Sequence, residues 1–123
     1  MDHIAKLLLR IGYSLLLMTH GLPKLEKLFS NEIKFPDPLS IGDVNSLFLT
    51  VLGEFIAPLF VIIGYKTRLF SFFPAFTMLI AAFVVHFEDP FGKKELAILY
   101  LLGFVLVILF GPGKYSIDHY KKK

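Results

Sequence analysis

Five ionisable side chains lie within or close to the ends of long apolar stretches, where charged groups are rare. Arg10 and Glu54 are inside such stretches, whereas His20, His86 and Glu95 lie near their ends. An ionisable side chain at membrane depth costs roughly 2.5–3.5 kcal/mol on insertion scales, so it normally faces a partner or a cavity. We therefore expect these five residues either to form structural contacts inside the protein or to make up its functional site.

One interpretation of these residues is structural. On ideal helices that rise by about 1.5 Å per residue, the alpha carbons of Arg10 and Glu54 differ in height by roughly 9 Å. A long arginine side chain that points towards Glu54 can largely close this gap. The sequence thus predicts an Arg10–Glu54 ion pair that neutralises both charges and joins the first and second helices.

The other interpretation is functional. His20, Glu54, His86 and Glu95 would converge beneath one membrane surface, as a proton-handling site or as hydrogen-bonding partners for the head group of a quinone-like ligand. Each histidine alone is equally consistent with an interfacial residue bonded to loop carbonyls. No HExxH or His-x-His spacing is present, so no metal is predicted.

The composition indicates an integral membrane protein. Of the 123 residues, 55% are hydrophobic, and the mean hydropathy of +0.67 is too high for a soluble domain of this size. The absence of Cys excludes disulfides, thiolate metal sites and a thiol relay within the chain. The net charge of +3 is spread around apolar stretches, which indicates orientation in a lipid bilayer and not nucleic-acid binding.

Four apolar segments approach the length of about 20 residues that a spanning helix needs: residues 4–22, 46–64, 69–87 and 95–110. They predict an all-α fold, a four-helix transmembrane bundle that forms a single integral membrane domain over residues 1–123. Four spans place both termini on one side, and eight of the 13 Lys and Arg residues fall on that side. This excess predicts cytoplasmic termini.

The long connection at residues 23–45 divides into two parts. Apolar residues at helical spacing in its first half predict a short helix that lies in the membrane interface. Pro36 and Pro38 in its second half exclude a regular helix and predict a loop. Within the second span, Pro58 leaves the carbonyl of Glu54 without a helical partner, which predicts an acceptor-rich spot inside the protein.

Five ordered motifs resemble the DoxX family of small bacterial membrane proteins, and together they cover nearly the whole chain. The motifs are Leu9-Arg10-Ile11-Gly12 with His20-Gly21-Leu22-Pro23-Lys24-Leu25; Phe35-Pro36-Asp37-Pro38-Leu39; Gly53-Glu54-Phe55 through Ile63-Gly64-Tyr65-Lys66-Thr67-Arg68; His86-Phe87-Glu88-Asp89-Pro90-Phe91 with Glu95-Leu96-Ala97; and Gly111-Pro112-Gly113-Lys114-Tyr115-Ser116-Ile117-Asp118. Ala57-Pro58 departs from the family pattern, in which Gly or Ser is expected after the glutamate.

The resemblance implies a four-helix bundle in the bacterial inner membrane, and it implies little about activity. Related proteins are named for a thiosulfate:quinone oxidoreductase subunit and for membrane-associated redox complexes. The resulting hypothesis is an accessory or ligand-binding subunit in quinone-linked or sulfur- and thiol-linked redox chemistry, with a quinone as its ligand and a redox enzyme as its partner. The positions that match the family pattern are Arg10, His20, Glu54, His86 and Glu95.

The alternative hypothesis is a non-enzymatic membrane scaffold, chaperone or small-solute permeation protein, with Arg10–Glu54 as a structural clamp. Small residues along one face of the second and third spans would permit a homodimer. Whether the chain is itself an enzyme is left open. A cavity at the level of Glu54 with access to the outer leaflet would favour ligand binding, whereas a fully packed bundle would favour the scaffold.

Overall fold

Helices account for most of the chain. The computed structural model describes residues 2–30, 35 and 37–121, and this part contains five helices. They are α1 (Asp2–Leu28), α2 (Asp43–Ile63), α3 (Thr67–Val85), α4 (Phe91–Phe110) and the short α5 (Ile117–Lys121). No β-strand occurs in these residues, which confirms the predicted all-α fold class.

The four long helices pack side by side. α1 contacts α2 and α4, and α3 contacts the same two helices. We call the end that carries the Gly64–Lys66 turn and residues 111–121 the tail end. The opposite end, which carries residues 86–90, is the loop end. The buried apolar residues between the helices are Leu17, Val61, Ala75, Met78, Ala82, Ala97, Tyr100, Phe104 and Val107.

Large apolar side chains cover much of the outer surface of the helices. Large hydrophobic side chains are exposed on every long helix, among them Leu8, Leu15, Leu16, Leu49, Leu59, Phe72, Phe76, Leu102 and Leu109. Exposed apolar patches of this extent are characteristic of a surface that contacts lipid or another protein. In the described residues, α2 and α3 are long and apolar enough to cross a bilayer.

Glycine determines two of the helix ends. α2 ends at Gly64, whose φ of 74° lies in the left-handed region that residues with a Cβ rarely adopt. α4 ends at Gly111, with a φ of 82°, and Pro112 follows it. Because both breaks lie at the tail end, the chain turns back there between α2 and α3 and again after α4.

The connection between α1 and α2 differs from the prediction. No separate interfacial helix forms in the described residues, because α1 continues through Pro23 to Leu28 and includes the turns that were expected to form it. A proline removes a single backbone hydrogen bond from a helix. Beyond it, Lys24 binds Glu54 and so holds the extended end of α1 against α2. Part of the expected interfacial segment, residues 31–34, lies outside the described residues.

The other predicted helix bounds shift by a few residues. α2 and α3 begin and end slightly earlier than residues 46–64 and 69–87. α4 begins at Phe91, four residues before the predicted start. Pro90 immediately precedes it, a position where a proline is tolerated because its missing N–H would have no helical partner. Glu95 therefore lies one turn inside α4 and does not open it.

Candidate functional site

Arg10 is the most thoroughly bonded side chain in the protein interior, with 1% of its surface exposed. Its Nε donates to the carbonyl of Val61 at 3.1 Å, and Nη2 donates to that of Ile62 at 3.0 Å. Nη1 donates to the carbonyl of Pro112 at 2.7 Å, and both Nη1 and Nη2 donate to that of Tyr115, at 3.0 Å and 2.9 Å. All five N–H donors of the guanidinium are therefore satisfied.

These bonds give Arg10 a structural role at the tail end. The carbonyls of Val61 and Ile62 belong to the last turn of α2, where the negative end of the helix dipole favours a cation. Pro112 and Tyr115 lie in the segment after α4. Arg10 thus connects α1, the end of α2 and the segment that follows α4 through a single buried group.

The predicted Arg10–Glu54 ion pair is wrong. In an α-helix the Cα–Cβ bond tilts towards the helix N-terminus. The N-terminus of α1 is at the tail end, so Arg10 points away from Glu54 and reaches the carbonyls described above. The N-terminus of α2 is at the loop end, so Glu54 points in the opposite direction.

Asp118 completes the tail end. Its Oδ1 accepts the Lys66 N–H at 2.7 Å, its Oδ2 accepts the Thr67 N–H at 2.8 Å, and its own N–H donates to the Gly64 carbonyl at 2.9 Å. Burial raises the pKa of Asp118, but the hydrogen bonds from Thr67 and Lys66 and the nearby Arg10 guanidinium outweigh it and lower the pKa below its usual value. The carboxylate acts as the N-terminal cap of α3.

Glu54 is paired with Lys24. The Nζ atom of Lys24 lies 2.8 Å from Oε1 and 2.7 Å from Oε2 of Glu54, so both carboxylate oxygens accept from one ammonium group. The Glu54 side chain is 3% exposed and that of Lys24 is 33% exposed. A buried carboxylate is therefore held by a cation that still reaches the surface.

A π-helical turn carries Glu54. Within Leu52–Ile56 the helix widens, and the Ala57 N–H donates to the Leu52 carbonyl five residues earlier. Such turns insert one residue into an α-helix and occur frequently at functional sites. Gly21 of α1 packs closely against the carbonyl of Glu54. A Cβ on Gly21 would lie only 2.5 Å from that oxygen, so no larger residue fits without a shift. The acceptor expected from Pro58 thus faces the protein interior.

A second π-helical turn precedes His86. It spans Ala81–Val85, and the His86 N–H donates to the Ala81 carbonyl at 3.0 Å. The Nδ1 atom of His86 lies 2.8 Å from Oδ2 of Asp89, so the ring is oriented by a carboxylate. The first irregular turn lies near the middle of α2, and the second forms the last residues of α3 at the loop end.

The predicted cluster of four residues is only partly assembled. His20 is exposed, and its ring meets that of Tyr100 edge to face with the centroids 5.8 Å apart. Glu95 is exposed and lines neither of the two cavities described below. Glu54, His86 and His20 border a common cavity, whereas Glu95 is not part of it. No group of three metal-ligating side chains occurs in the part of the chain that the structure describes.

The larger cavity has a volume of about 500 Å³ and lies between α2, α3 and the loop before α2. Its wall is mostly aliphatic and aromatic, with contributions from Leu49, Leu52 and Phe76. Leu49 and Phe76 are also exposed on the outer surface, so the cavity lies beside the apolar exterior of the helices. Lys24, Glu54, His86, Ser46, Thr50 and Thr77 supply polar atoms along the wall.

The smaller cavity has a volume of about 170 Å³ and lies between α1, α3 and α4. His20 and Tyr100 line it, together with Lys24, Glu54 and His86 from the wall of the larger cavity. Half of its lining residues carry an ionisable or hydrogen-bonding side chain. The Lys24–Glu54 pair therefore separates an apolar space from a polar one.

Lys24 was not among the predicted site residues, although the sequence contains a signal for it. On an ideal helix Lys24 shares one face with Arg10, His20 and Gly21, and its side chain points back along α1 towards the N-terminus of that helix. The predicted first span ended at residue 22, so Lys24 was assigned to the connection that follows it. The two π-helical turns have no signature in the sequence.

Comparison with known proteins places the chain in a family. A family model described as DoxX matches residues 5–87. The chain is 28% identical over 127 residues to the inner membrane protein YqjF of Escherichia coli (strain K12), an alignment that covers 100% of this chain and 96% of that protein. No solved structure matches the chain significantly. Because the family model covers more than half of its length, this chain belongs to the DoxX family of integral membrane proteins.

Proposed function

We propose that this chain is a multi-pass protein of the bacterial inner membrane that binds a quinone-like ligand between its helices, as an accessory subunit in membrane-associated redox chemistry. The inner membrane location is supported by the similarity to YqjF, whose name states it. A four-helix transmembrane bundle with both termini in the cytoplasm is supported by the packing of the long helices and by the excess of basic residues at the tail end.

The observation that carries the proposal is the larger cavity. Its volume of about 500 Å³ falls within the range of roughly 300–1,000 Å³ that is typical of small-molecule sites. Such sites combine an apolar wall with a few convergent polar groups. The cavity has this composition, with Leu49 and Phe76 on the wall and the Lys24–Glu54 pair and His86 at one side.

The polar groups suit a head group with carbonyl oxygens. The ammonium of Lys24 has three N–H donors and makes two hydrogen bonds to Glu54, so the third donor can bind a ligand without loss of the contact with the carboxylate. Thr50 and Thr77 already donate to backbone carbonyls, at 2.8 Å each, which leaves their oxygens as acceptors. A quinone carbonyl would accept from Lys24, and a quinol hydroxyl would donate to Glu54.

The alternative is a non-enzymatic membrane scaffold, chaperone or permeation protein. Arg10 favours it, since all five of its N–H groups bind backbone carbonyls and none is available for chemistry. The cavity beside Glu54 favours ligand binding over this alternative. In the scaffold, lipid chains would fill the cavity without selectivity for a head group.

The test is a binding measurement with a short-chain benzoquinone on purified protein in lipid nanodiscs, preceded by mass spectrometry of small molecules that copurify in mild detergent. Leu49→Trp fills the cavity from its rim, and we expect it to weaken binding at least about tenfold, or about 1.4 kcal/mol. Lys24→Met should weaken binding by a similar factor if the ammonium contacts the head group.

Leu99→Trp is the matched control. Leu99 on α4 is 48% exposed and Leu49 is 46% exposed, but Leu99 lines neither cavity. Binding that saturates in the wild-type protein and in Leu99→Trp, and is lost in Leu49→Trp, supports the proposal. Equal partition of the quinone into empty nanodiscs and into nanodiscs with the wild-type protein would overturn it and favour the scaffold.

A further inference from the structure

The two cavities share one wall. Lys24, Glu54, Ala81 and His86 line both of them. Beyond this wall the surroundings differ, because the larger cavity continues along aliphatic and aromatic side chains of α2 and α3, whereas the smaller one continues to His20 and Tyr100. The Lys24–Glu54 pair is therefore placed where an apolar space and a polar space meet.

The smaller cavity has the features of a space that holds water. An ordered water needs two to four polar partners, and each water in the liquid takes up about 30 Å³. The volume of about 170 Å³ thus corresponds to roughly five to six waters. The side chains of His20, Lys24 and His86 that border this cavity are also partly exposed near the loop end.

We infer that the smaller cavity is a water-filled branch of the ligand site, which connects the Lys24–Glu54 pair to the aqueous phase at the loop end. The larger cavity remains the apolar branch beside the lipid. The inference deepens the proposed function and rests on it for the nature of the ligand. A site with these two branches suits a molecule with an apolar body and a head group that exchanges protons with water.

Cysteine accessibility tests this inference without any ligand. The chain has no Cys, so each introduced thiol is the single reactive group. Ala97→Cys places a thiol in the smaller cavity, and Thr50→Cys places one in the larger cavity. The two positions lie at matched depth, roughly 9 Å and 10 Å from the first residues of α4 and α2 at about 1.5 Å of rise per residue.

We expect a charged, membrane-impermeant methanethiosulfonate to modify Ala97→Cys at least about tenfold faster than Thr50→Cys in nanodiscs, because water is excluded from the hydrocarbon region. N-ethylmaleimide, which is uncharged, should modify both. Val105→Cys is the control, since Val105 is exposed on α4 and lines neither cavity, and it should resist the charged reagent. Leu96→Cys, on a half-exposed residue of the same cavity, replaces Ala97→Cys if that variant does not fold.

Equal rates of modification of Ala97→Cys and Thr50→Cys by the charged reagent, or faster modification of Thr50→Cys, would overturn the inference. The outcome is independent of the quinone measurement. If Ala97→Cys is modified selectively but the protein binds no quinone, the quinone proposal is rejected and the water-filled branch is retained. If the protein binds quinone but both thiols are protected from the charged reagent, the water-filled branch is rejected and the quinone proposal is retained.

Discussion

The Nζ atom of Lys24 lies within 2.8 Å of both carboxylate oxygens of Glu54, and the two side chains differ in exposure, 33% against 3%. Glu54 depends on this contact more than Lys24 does, because only Lys24 retains access to the surface. Removal of either partner should therefore have unequal effects on stability.

Lys24→Met should destabilise the protein by about 3 kcal/mol, since it leaves a buried carboxylate without a cation. Glu54→Gln should cost less, because an exposed ammonium remains solvated and the amide can still accept a hydrogen bond. The double variant Lys24→Met/Glu54→Gln should recover most of the loss. Thermal unfolding in detergent, followed by circular dichroism, measures all three.

The control for this pair is Lys27→Met on the same helix. Lys27 contacts the ring of Phe35 at 5.8 Å and has no buried carboxylate partner among the described residues, so its loss should change stability by about 0.5 kcal/mol or less. Equal destabilisation by Lys24→Met and Lys27→Met would show that the Lys24–Glu54 contact contributes nothing to the fold.

Arg10→Lys should be severely destabilising although the charge is retained. A lysine has three N–H donors in place of five and cannot reach four carbonyls at once, so several buried acceptors lose their partners at about 1–3 kcal/mol each. Arg68→Lys is the matched control, because Arg68 is exposed and its side chain makes one hydrogen bond within the described residues, from Nε to the Ile108 carbonyl. The yield of folded protein in detergent distinguishes the two, and normal folding of Arg10→Lys would contradict the structural role of Arg10 at the tail end.

The positions of the long helices were predictable, because the apolar runs exceed the length of any ordinary loop and Gly64 and Gly111 end two of them. The partners of the charged residues were not. Arg10 and Glu54 were paired from the heights of their alpha carbons, whereas the direction of each side chain along its helix decides which groups it reaches. Once this direction is included, Arg10 is expected to contact groups at the tail end, and Glu54 is expected to point towards the loop end, where Lys24 lies.

The two π-helical turns also could not be predicted from the sequence. A π-helical turn adds one residue without a characteristic composition, so neither Leu52–Ile56 nor Ala81–Val85 could be located in advance. Glu95 was placed in the candidate cluster because it was expected to open the fourth span, at the level of His20 and His86. The additional turn of α4 carries it away from both cavities.

The tail end should lose stability in acid because of Asp118. Its pKa is lower in the folded protein than the usual value of about 3.9, so its contribution is complete above that value and is lost as the pH falls through the lowered pKa. Asp118→Asn should therefore lower the melting temperature at neutral pH and flatten its decline in acid. Asp2→Asn, on the exposed first turn of α1, controls for the change in net charge. Parallel acid profiles of the wild-type protein and Asp118→Asn would contradict the assigned role.

Two glycines of α1 should respond in opposite ways to the same substitution. A Cβ on Gly21 would lie 2.5 Å from the Glu54 carbonyl oxygen, so Gly21→Ala must push α1 away from the π-helical turn, at a cost of about 1–3 kcal/mol. A Cβ on Gly12 would meet nothing within 4 Å, and Gly12→Ala should stabilise the helix by up to about 1 kcal/mol. The shift should also widen the space between Lys24 and Glu54, so Gly21→Ala should weaken binding of the short-chain benzoquinone whereas Gly12→Ala should not. If both variants melt at the wild-type temperature and bind the benzoquinone equally well, the close approach of α1 to Glu54 does not position the Lys24–Glu54 pair.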